Sequence, residues 1–388
     1  MPRHLFSSAV PLLLCVLVCG SSGAAAEVQG GSTTAVTPFQ GTREISVKWE
    51  SSQSATSLRV PSLVEVGGEV FAVAAVQCRK ESGCGVDCFT GIASKHLKKS
   101  EDYSTEMLAA DAIQFDTQLL REGKASGGEA KDVMRPTTLV RGNEVYMLLG
   151  KYSRPPAAAQ DANHWGLLLV QGTVTGSGDD KKIVWSETRA VDAASIGFHA
   201  SLTELSGGGG SGLVLSDGTL VFPMQAINRE KKSVLLAFRL APSKKKWELS
   251  SGTTGAGCRD PSIVEWGEDG KLLAMAPCAR GSYDVYPSTP RGVAWYTTGE
   301  PISRVWGTSP NRQGGDGVQS GFVTAEIEGK KVMLLTTPVY SEEEEGAAKG
   351  ALHLWLTDNS RVHDVGLVSA AGDDAAASSL LYRSGAPA

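Results

Sequence analysis

Positive charge is thinly spread in this sequence. Lysine and arginine total 37 against 42 aspartates and glutamates, a net charge of -5, and the longest run of cations is Lys244 to Lys246. A nucleic-acid surface, which needs a patch or stripe of cations to neutralise phosphates, has no compositional support. Long apolar runs are missing after the first 26 residues. No later stretch approaches the roughly twenty residues of a bilayer-spanning helix, and the C-terminal "LLYRSGAPA" reads as neither a hydrophobic tail nor the spacer of a lipid anchor. Helical periodicity is equally scarce. The most helix-like stretch, "TGIASKHLKKSEDYSTEML" at 90 to 108, is too polar and broken to carry a core.

Cysteine is sparse and unevenly placed. Of seven, Cys15 and Cys19 lie at the N-terminus, leaving Cys78, Cys84, Cys88, Cys258 and Cys278. Five is odd, so at least one thiol is free or pairs with another chain. Cys78, Cys84 and Cys88 with His96 match no common zinc spacing. His164, His199, His353 and His363 have no mutual spacing of a metal site or a triad, so no metal and no cofactor is expected. Disulfide pairing is the better reading, with Cys258 and Cys278 as candidates across one hairpin.

Glycine, by contrast, is abundant, at 45 residues against 17 prolines, and it clusters between short apolar runs where turns are expected. The first residues, "MPRHLFSSAVPLLLCVLVCGSSGAAAE", place basic residues at 3 and 4, an apolar stretch from Val10 to Val18 and small residues through Ala26. This is the plan of a secretory signal over residues 1 to 26. A single large domain is then expected over 27 to 388, in a secreted or cell-surface setting.

After residue 45 the pattern is strand, turn, strand. Turns are expected near 68, 142, 218, 270 and 329, each flanked by runs of Val, Ile, Leu, Phe and Tyr. Three of these units share a plan: "RVPSLVEVGGEVFAVAAV" from Arg59, "RPTTLVRGNEVYMLLGKY" from Arg135 and "RDPSIVEWGEDGKLLAMAP" from Arg259. Their spacing of about 50 to 75 residues suits one four-stranded sheet per unit, which points to a β-propeller before a sandwich. The low-complexity pieces "SGGGGSG" at 206 to 212 and "SEEEEGAAKG" at 341 to 350 read as exposed connections.

Specific phrases carry a resemblance. "LRVPSLVEVGG" is similar to the Phe-Arg-Ile/Leu-Pro motif of sialidases. "FTGIASKHL", "VMRPTTLVRGNEVYMLLGKYSR", "ISRVWG" and "LHLWLTDNSRVHDVG" resemble the trypanosomal trans-sialidase-like surface glycoproteins along nearly the whole chain. The resemblance implies an all-β, six-bladed sialidase-type propeller. It also implies that the chain stops before the final propeller strands and before a lectin-like second domain. "STPRGVAW", Ser288 to Trp295, resembles a decayed Ser-x-Asp-x-Gly-x-Thr-Trp turn repeat of that family, with Trp295 kept for packing.

The chemistry that the resemblance implies can be followed position by position. Three arginines hold the carboxylate of sialic acid. A tyrosine serves as nucleophile, since a carboxylate nucleophile would be repelled by that negative charge. A glutamate takes the phenol proton and an aspartate protonates the leaving group. Arg59 matches the first arginine. The register "AVAAVQC" puts Ala75 at the acid and Gln77 at a neighbouring arginine, and Arg135 stands where an aspartate contacts the acyl side of the sugar. Asp260 matches the glutamate, one methylene shorter. No arginine ends "KLLAMAP", and Arg280 is only a weak substitute. Lys349 matches the third arginine, Ala347 an acceptor-site tryptophan, and Ala377 the nucleophile. Tyr382, five residues on along a strand, would face the other way.

With acid and nucleophile lost, the expectation is a non-catalytic family member that binds sialylated glycans or host surface and matrix glycoproteins. Arg59, Lys349 and Asp260 remain as ligand-binding candidates. Two other readings stay open: an active exo-α-sialidase or trans-sialidase, and a truncated gene product.

Overall fold

Two apolar runs joined by a glycine turn are the repeated unit of this chain, and the turns fall where the glycines do. Gly68, Gly142, Gly218, Gly270 and Gly329 all take positive φ, between 59° and 83°, closing five tight hairpins. The computed structural model describes residues 13–19, 37–52, 57–77, 90–97, 115–122, 129–152, 165–192, 201–267, 269–279, 282–296, 317–340, 350–369 and 377–384. Among these there is no α-helix, and no helix is long and apolar enough to cross a membrane.

Strands β1 (Leu13–Cys19) and β2 (Arg43–Glu44) precede five blades. The first holds β3 (Val47–Ser52), β4 (Ser57–Val66), β5 (Glu69–Gln77), β6 (Thr90–Leu97) and β7 (Asp116–Glu122), paired in the order β4-β5-β6-β7-β3. The second runs β8 (Glu129–Arg141), β9 (Glu144–Tyr152), β10 (Trp165–Thr175) and β11 (Lys182–Val191), with β2 added outside β11. The third contains β12 (Thr203–Gly207), β13 (Gly210–Ser211), β14 (Leu213–Val214), β15 (Leu220–Ile227), β16 (Ser233–Leu240) and β17 (Glu248–Leu249). Here β13 leaves its own blade and pairs in parallel with β8. The fourth is β18 (Ser262–Glu265), β19 (Leu272–Cys278) and β20 (Ser282–Pro287). The fifth is β21 (Phe322–Ile327), β22 (Lys330–Tyr340), β23 (Gly350–Thr357) and β24 (Val362–Leu367), and β25 (Ser378–Ser384) follows.

The all-β propeller expectation holds, and five blades are present among the described residues. The polar stretch at 90 to 108 begins as strand β6 rather than as a helix. Leu13–Cys19, inside the stretch read as a secretory signal, forms a strand parallel to β25.

Each blade is buried on both faces because a neighbouring blade lies on each side. That is why "FAVAAV" in β5 and "LLAMAPC" in β19 are apolar throughout instead of alternating. The core is a series of inter-blade layers. Val73, Ile92 and Leu120 of the first blade meet Met147, Leu168 and Trp185 of the second. Leu148 and Leu169 meet Phe222, Phe238 and Trp247 of the third. Val221 and Leu235 meet Ile263 and Ala274 of the fourth, and Met275 and Tyr283 meet Phe322 and Met333 of the fifth. Adjacent residues of β25 complete the series: Leu380 packs with Leu334 and Leu354, while Leu381 packs against Leu63 and Ala93. Trp295 packs against the layer between the third and fourth blades, with Ser288 bridged to it across the turn.

The expected Cys258–Cys278 disulfide is present. It closes a loop with a sequence separation of 20, which constrains the unfolded chain by about 3 kcal/mol. Replacing both cysteines with serine should therefore lower the unfolding free energy, read from urea titration, by about 3 kcal/mol, and dithiothreitol should do the same to the unmodified chain. Cys78, Cys84 and Cys88 lie outside the described residues.

Candidate functional site

The three Arg-Pro units and β12 share one backbone device. In each inner strand two residues oppose a single residue of the partner, between Arg59 and Ser62, between Met134 and Thr137, and between Thr203 and Ser206. In the fourth blade Arg259 N donates to Pro277 O and Ser262 pairs with Met275, leaving Asp260 and Pro261 opposite Ala276. The first residue of each bulge is left-handed: Val60, Arg135, Glu204 and Asp260 have φ of 56°, 53°, 51° and 53°. Glycine would take this conformation freely, and a valine there costs about 1–2 kcal/mol. In three of the bulges a proline follows, where its missing N–H costs little because the ladder is already interrupted. The repeated Arg-Pro signature is thus the sequence of a bulge that turns side chains toward one pole of the propeller.

A run of glycines forms the floor of that pole. "SGGGGSG" is not an exposed connection: Gly207 to Gly210 are buried. Gly208 N donates to Pro223 O at 2.8 Å, and Gly209 N to Thr137 Oγ1 at 2.9 Å. A Cβ on Gly208 would stand 2.8 Å from Pro261 Cγ, and one on Gly209 would collide with Val60 Cγ1 and lie 2.9 Å from Gln319 Oε1. The backbone here passes between the first, second, fourth and fifth blades, and only a residue without a side chain fits. Gln319, 5% exposed, ties the ring together by donating from Nε2 to Pro61 O at 2.8 Å, while its Oε1 is buried without a partner among the described residues.

Around this floor stand most of the residues singled out in the sequence. Arg135 donates from Nε to Gly207 O at 2.8 Å and from NH2 to Gly208 O, and its NH2 also pairs with Asp260 Oδ1. The other oxygen of Asp260 lies 3.6 Å from Arg259 Nε, and the Asp260 N–H donates to Gln225 Oε1 at 3.0 Å. The Arg135 and Asp260 side chains are 18% and 16% exposed, so the pair spans the second and fourth blades in a half-buried setting. Asp260, which matches the glutamate position in the resemblance and is one of the ligand-binding candidates, pairs with two guanidiniums.

Arg59 is exposed and makes no ion pair among the described residues, and Ala75 is its direct cross-strand neighbour, 6% exposed. Ala377 stands just before β25. The next residue, Ser378, donates from N to Gln319 O at 3.1 Å, and its hydroxyl lies 2.8 Å from Thr336 Oγ1. Ser379 Oγ accepts from Leu63 N at 3.2 Å. These bonds fix the head of β25 between the fifth and first blades, at the Arg59 end. Tyr382 turns away, donating to Glu326 O at 2.7 Å. Lys349, Ala347 and Arg280 lie outside the described residues.

One phenol near Asp260 was not singled out in the sequence. Tyr283, 1% exposed, donates to Val318 O at 3.0 Å and accepts from Val318 N at 3.2 Å. Burial pushes its pKa up, and the negative charge of Asp260 is among the further causes. A phenol shifted that way is harder to ionise, the opposite of an activated nucleophile. "SYDVYP" reads only as a strand, so no sequence signal marked it.

A family model described as a BNR repeat-like domain matches residues 60–387. A Trypanosoma cruzi protein named sialidase 85-1.1 is 30% identical over 95% of this chain and 50% of its own length, and a T. cruzi sialidase is 35% identical over 70% of this chain and 24% of its own length. The chain belongs to the trans-sialidase-like sialidase superfamily. Solved structures in this superfamily include Trypanosoma rangeli sialidase in complex with the inhibitor DANA, with TM-score 0.63, 29% identity, and coverage of 84% of this chain and 51% of that one. The same sialidase in complex with sialic acid gives TM-score 0.64 and 27% identity, over 86% of this chain and 53% of that one. The superfamily member described here thus spans half or less of the length of its curated relatives and about half of the solved chains.

Proposed function

We propose that this superfamily member is non-catalytic, a secreted or cell-surface glycoprotein that binds sialylated glycans or host surface and matrix glycoproteins without cleaving them. In this reading residues 1–26 are a secretory signal, residues 27–388 are propeller, and β25 is the inner strand of a sixth blade. The observation that carries it is the pair of methyl groups at the pole. Ala75 lies directly across from Arg59, and Ala377 heads β25. Neither can hold or move a proton. Acid/base assistance contributes on the order of a hundred- to ten-thousand-fold to such a reaction, and without a nucleophile the covalent route is closed as well. Tyr283 and Tyr382 are both engaged by backbone groups, and Asp260 is neutralised by Arg135 and Arg259.

The expected result is no release of fluorophore from a fluorogenic sialoside above the uncatalysed rate, together with measurable binding of sialyllactose that Arg59→Ala weakens. Turnover above background would overturn the reading in favour of an active exo-α-sialidase. N-terminal sequencing of the secreted chain tests the leader, with a start near residue 27 expected.

A further inference from the structure

The pole carries donors that its own acceptors leave unused. A guanidinium has five N–H groups in a fixed fork. In Arg135, Nε is spent on Gly207 O, and NH2 on Gly208 O and Asp260 Oδ1. Both N–H groups of NH1 are left without an acceptor among the described residues. Because three fixed acceptors hold the plane of the guanidinium, the direction of NH1 is fixed as well, and its side chain keeps 18% of its exposure. Arg59 is close by on the first blade. Val60, the next residue, and Arg135 NH2 both lie within 4 Å of the position a Cβ on Gly209 would take.

The charges at the pole favour an anion on this side. The two oxygens of Asp260 are already shared by Arg135 and Arg259, and Arg59 adds a third cation with no ion pair among the described residues. Glu204, on the third blade, is the carboxylate of the remaining bulge and is exposed. The cationic half of the pole is therefore the half over the first and second blades, where Arg59 and NH1 of Arg135 lie.

We propose that the pole takes an acidic glycan with two anionic groups, one held by Arg59 and the other by NH1 of Arg135, so that Arg135 sets a preference for doubly over singly acidic glycans. This rests on the reading above that the pole binds sialylated glycans through Arg59. The second group can be a carboxylate or a sulfate, since both present oxygens to the fork.

The test is titration calorimetry of the full chain with sialyllactose, its sulfated derivative and disialyllactose. The chain should bind at least one doubly acidic probe about five-fold more tightly than sialyllactose, the scale of one extra partly exposed ion contact. A preference for the sulfated probe identifies sulfate as the second group, and a preference for the disialylated probe identifies carboxylate. Arg135→Gln should abolish the preference, read as the ratio of the two affinities within the same variant, and an unchanged circular dichroism spectrum shows that the variant is folded. Asp260→Asn, which keeps Arg135 and removes a negative charge beside it, should enlarge the preference. Sialyllactose binding with no preference, or a preference that survives Arg135→Gln, overturns this inference and leaves the proposed function standing. Binding of none of the probes overturns both.

Discussion

Gly209→Ala is expected to cost about 3 kcal/mol or more. Two penalties combine. Gly209 has φ +82°, and its Cβ would collide with Val60 Cγ1 and press on Gln319 Oε1. A non-glycine residue in left-handed conformation costs about 1–2 kcal/mol, and overpacking a closed interior typically costs about 1–3 more. The neighbours cannot yield cheaply, because Val60 belongs to a bulge of the first blade and Gln319 is tied to Pro61. Gly142→Ala is the control. It has φ +59° with nothing within 4 Å, so only the conformational penalty should appear. Urea unfolding of the two variants beside the unmodified chain separates the effects, and equal midpoints for both variants would show that the glycine run is not the packed floor described above.

Asp260→Ala should destabilise the fold by about 2–3 kcal/mol. Removing one partner of a buried ion pair typically costs about 3–5 kcal/mol, because it strands the other charge, and partial exposure of both side chains reduces that here. A second contribution comes from the backbone, since aspartate tolerates the left-handed region better than alanine. The pair itself is isolated by a double-mutant cycle of Arg135→Met and Asp260→Asn. Asparagine keeps the left-handed tolerance and methionine keeps much of the apolar stem. The double variant should be more stable than the sum of the singles predicts, by about 1–3 kcal/mol. Additive costs would mean that the two side chains act independently, Arg135 through the carbonyls of Gly207 and Gly208 alone.

Much of the fold was legible in the residues because local chemistry dictates it. A glycine paired with glycine, asparagine, aspartate or glutamate between two apolar runs marks a hairpin, as at Gly68, Gly142, Gly218, Gly270 and Gly329. Arg59 and Ala75 were legible as well, because both belong to one hairpin whose register follows from its turn. The blade count was not, since it depends on which strands meet across long connections. β6 was obscured by lysines and serines that suit an outer strand as well as a helix.

The site was harder to read. In the sequence Arg135 and Asp260 read as separate departures from the pattern that the resemblance implies, yet they belong to one ion pair between opposite blades, and nothing in "VMRPTT" or "CRDPSI" indicates that the two segments meet. Composition misled most at "SGGGGSG", because a run of glycines looks the same in a solvated linker as in a place too tight for any side chain.

By itself the sequence determined the strands and the hairpin turns and offered Cys258 and Cys278 as a pair across one hairpin, since each follows from residue type at a short spacing. Only the tertiary structure decided that four bulges converge on one pole, that Gly207 to Gly210 form its floor, and that Asp260 pairs with Arg135 across opposite blades. The reason is physical. Short-range backbone preferences are written in neighbouring residues, whereas burial and charge pairing depend on residues from separate blades that only the closed ring brings together.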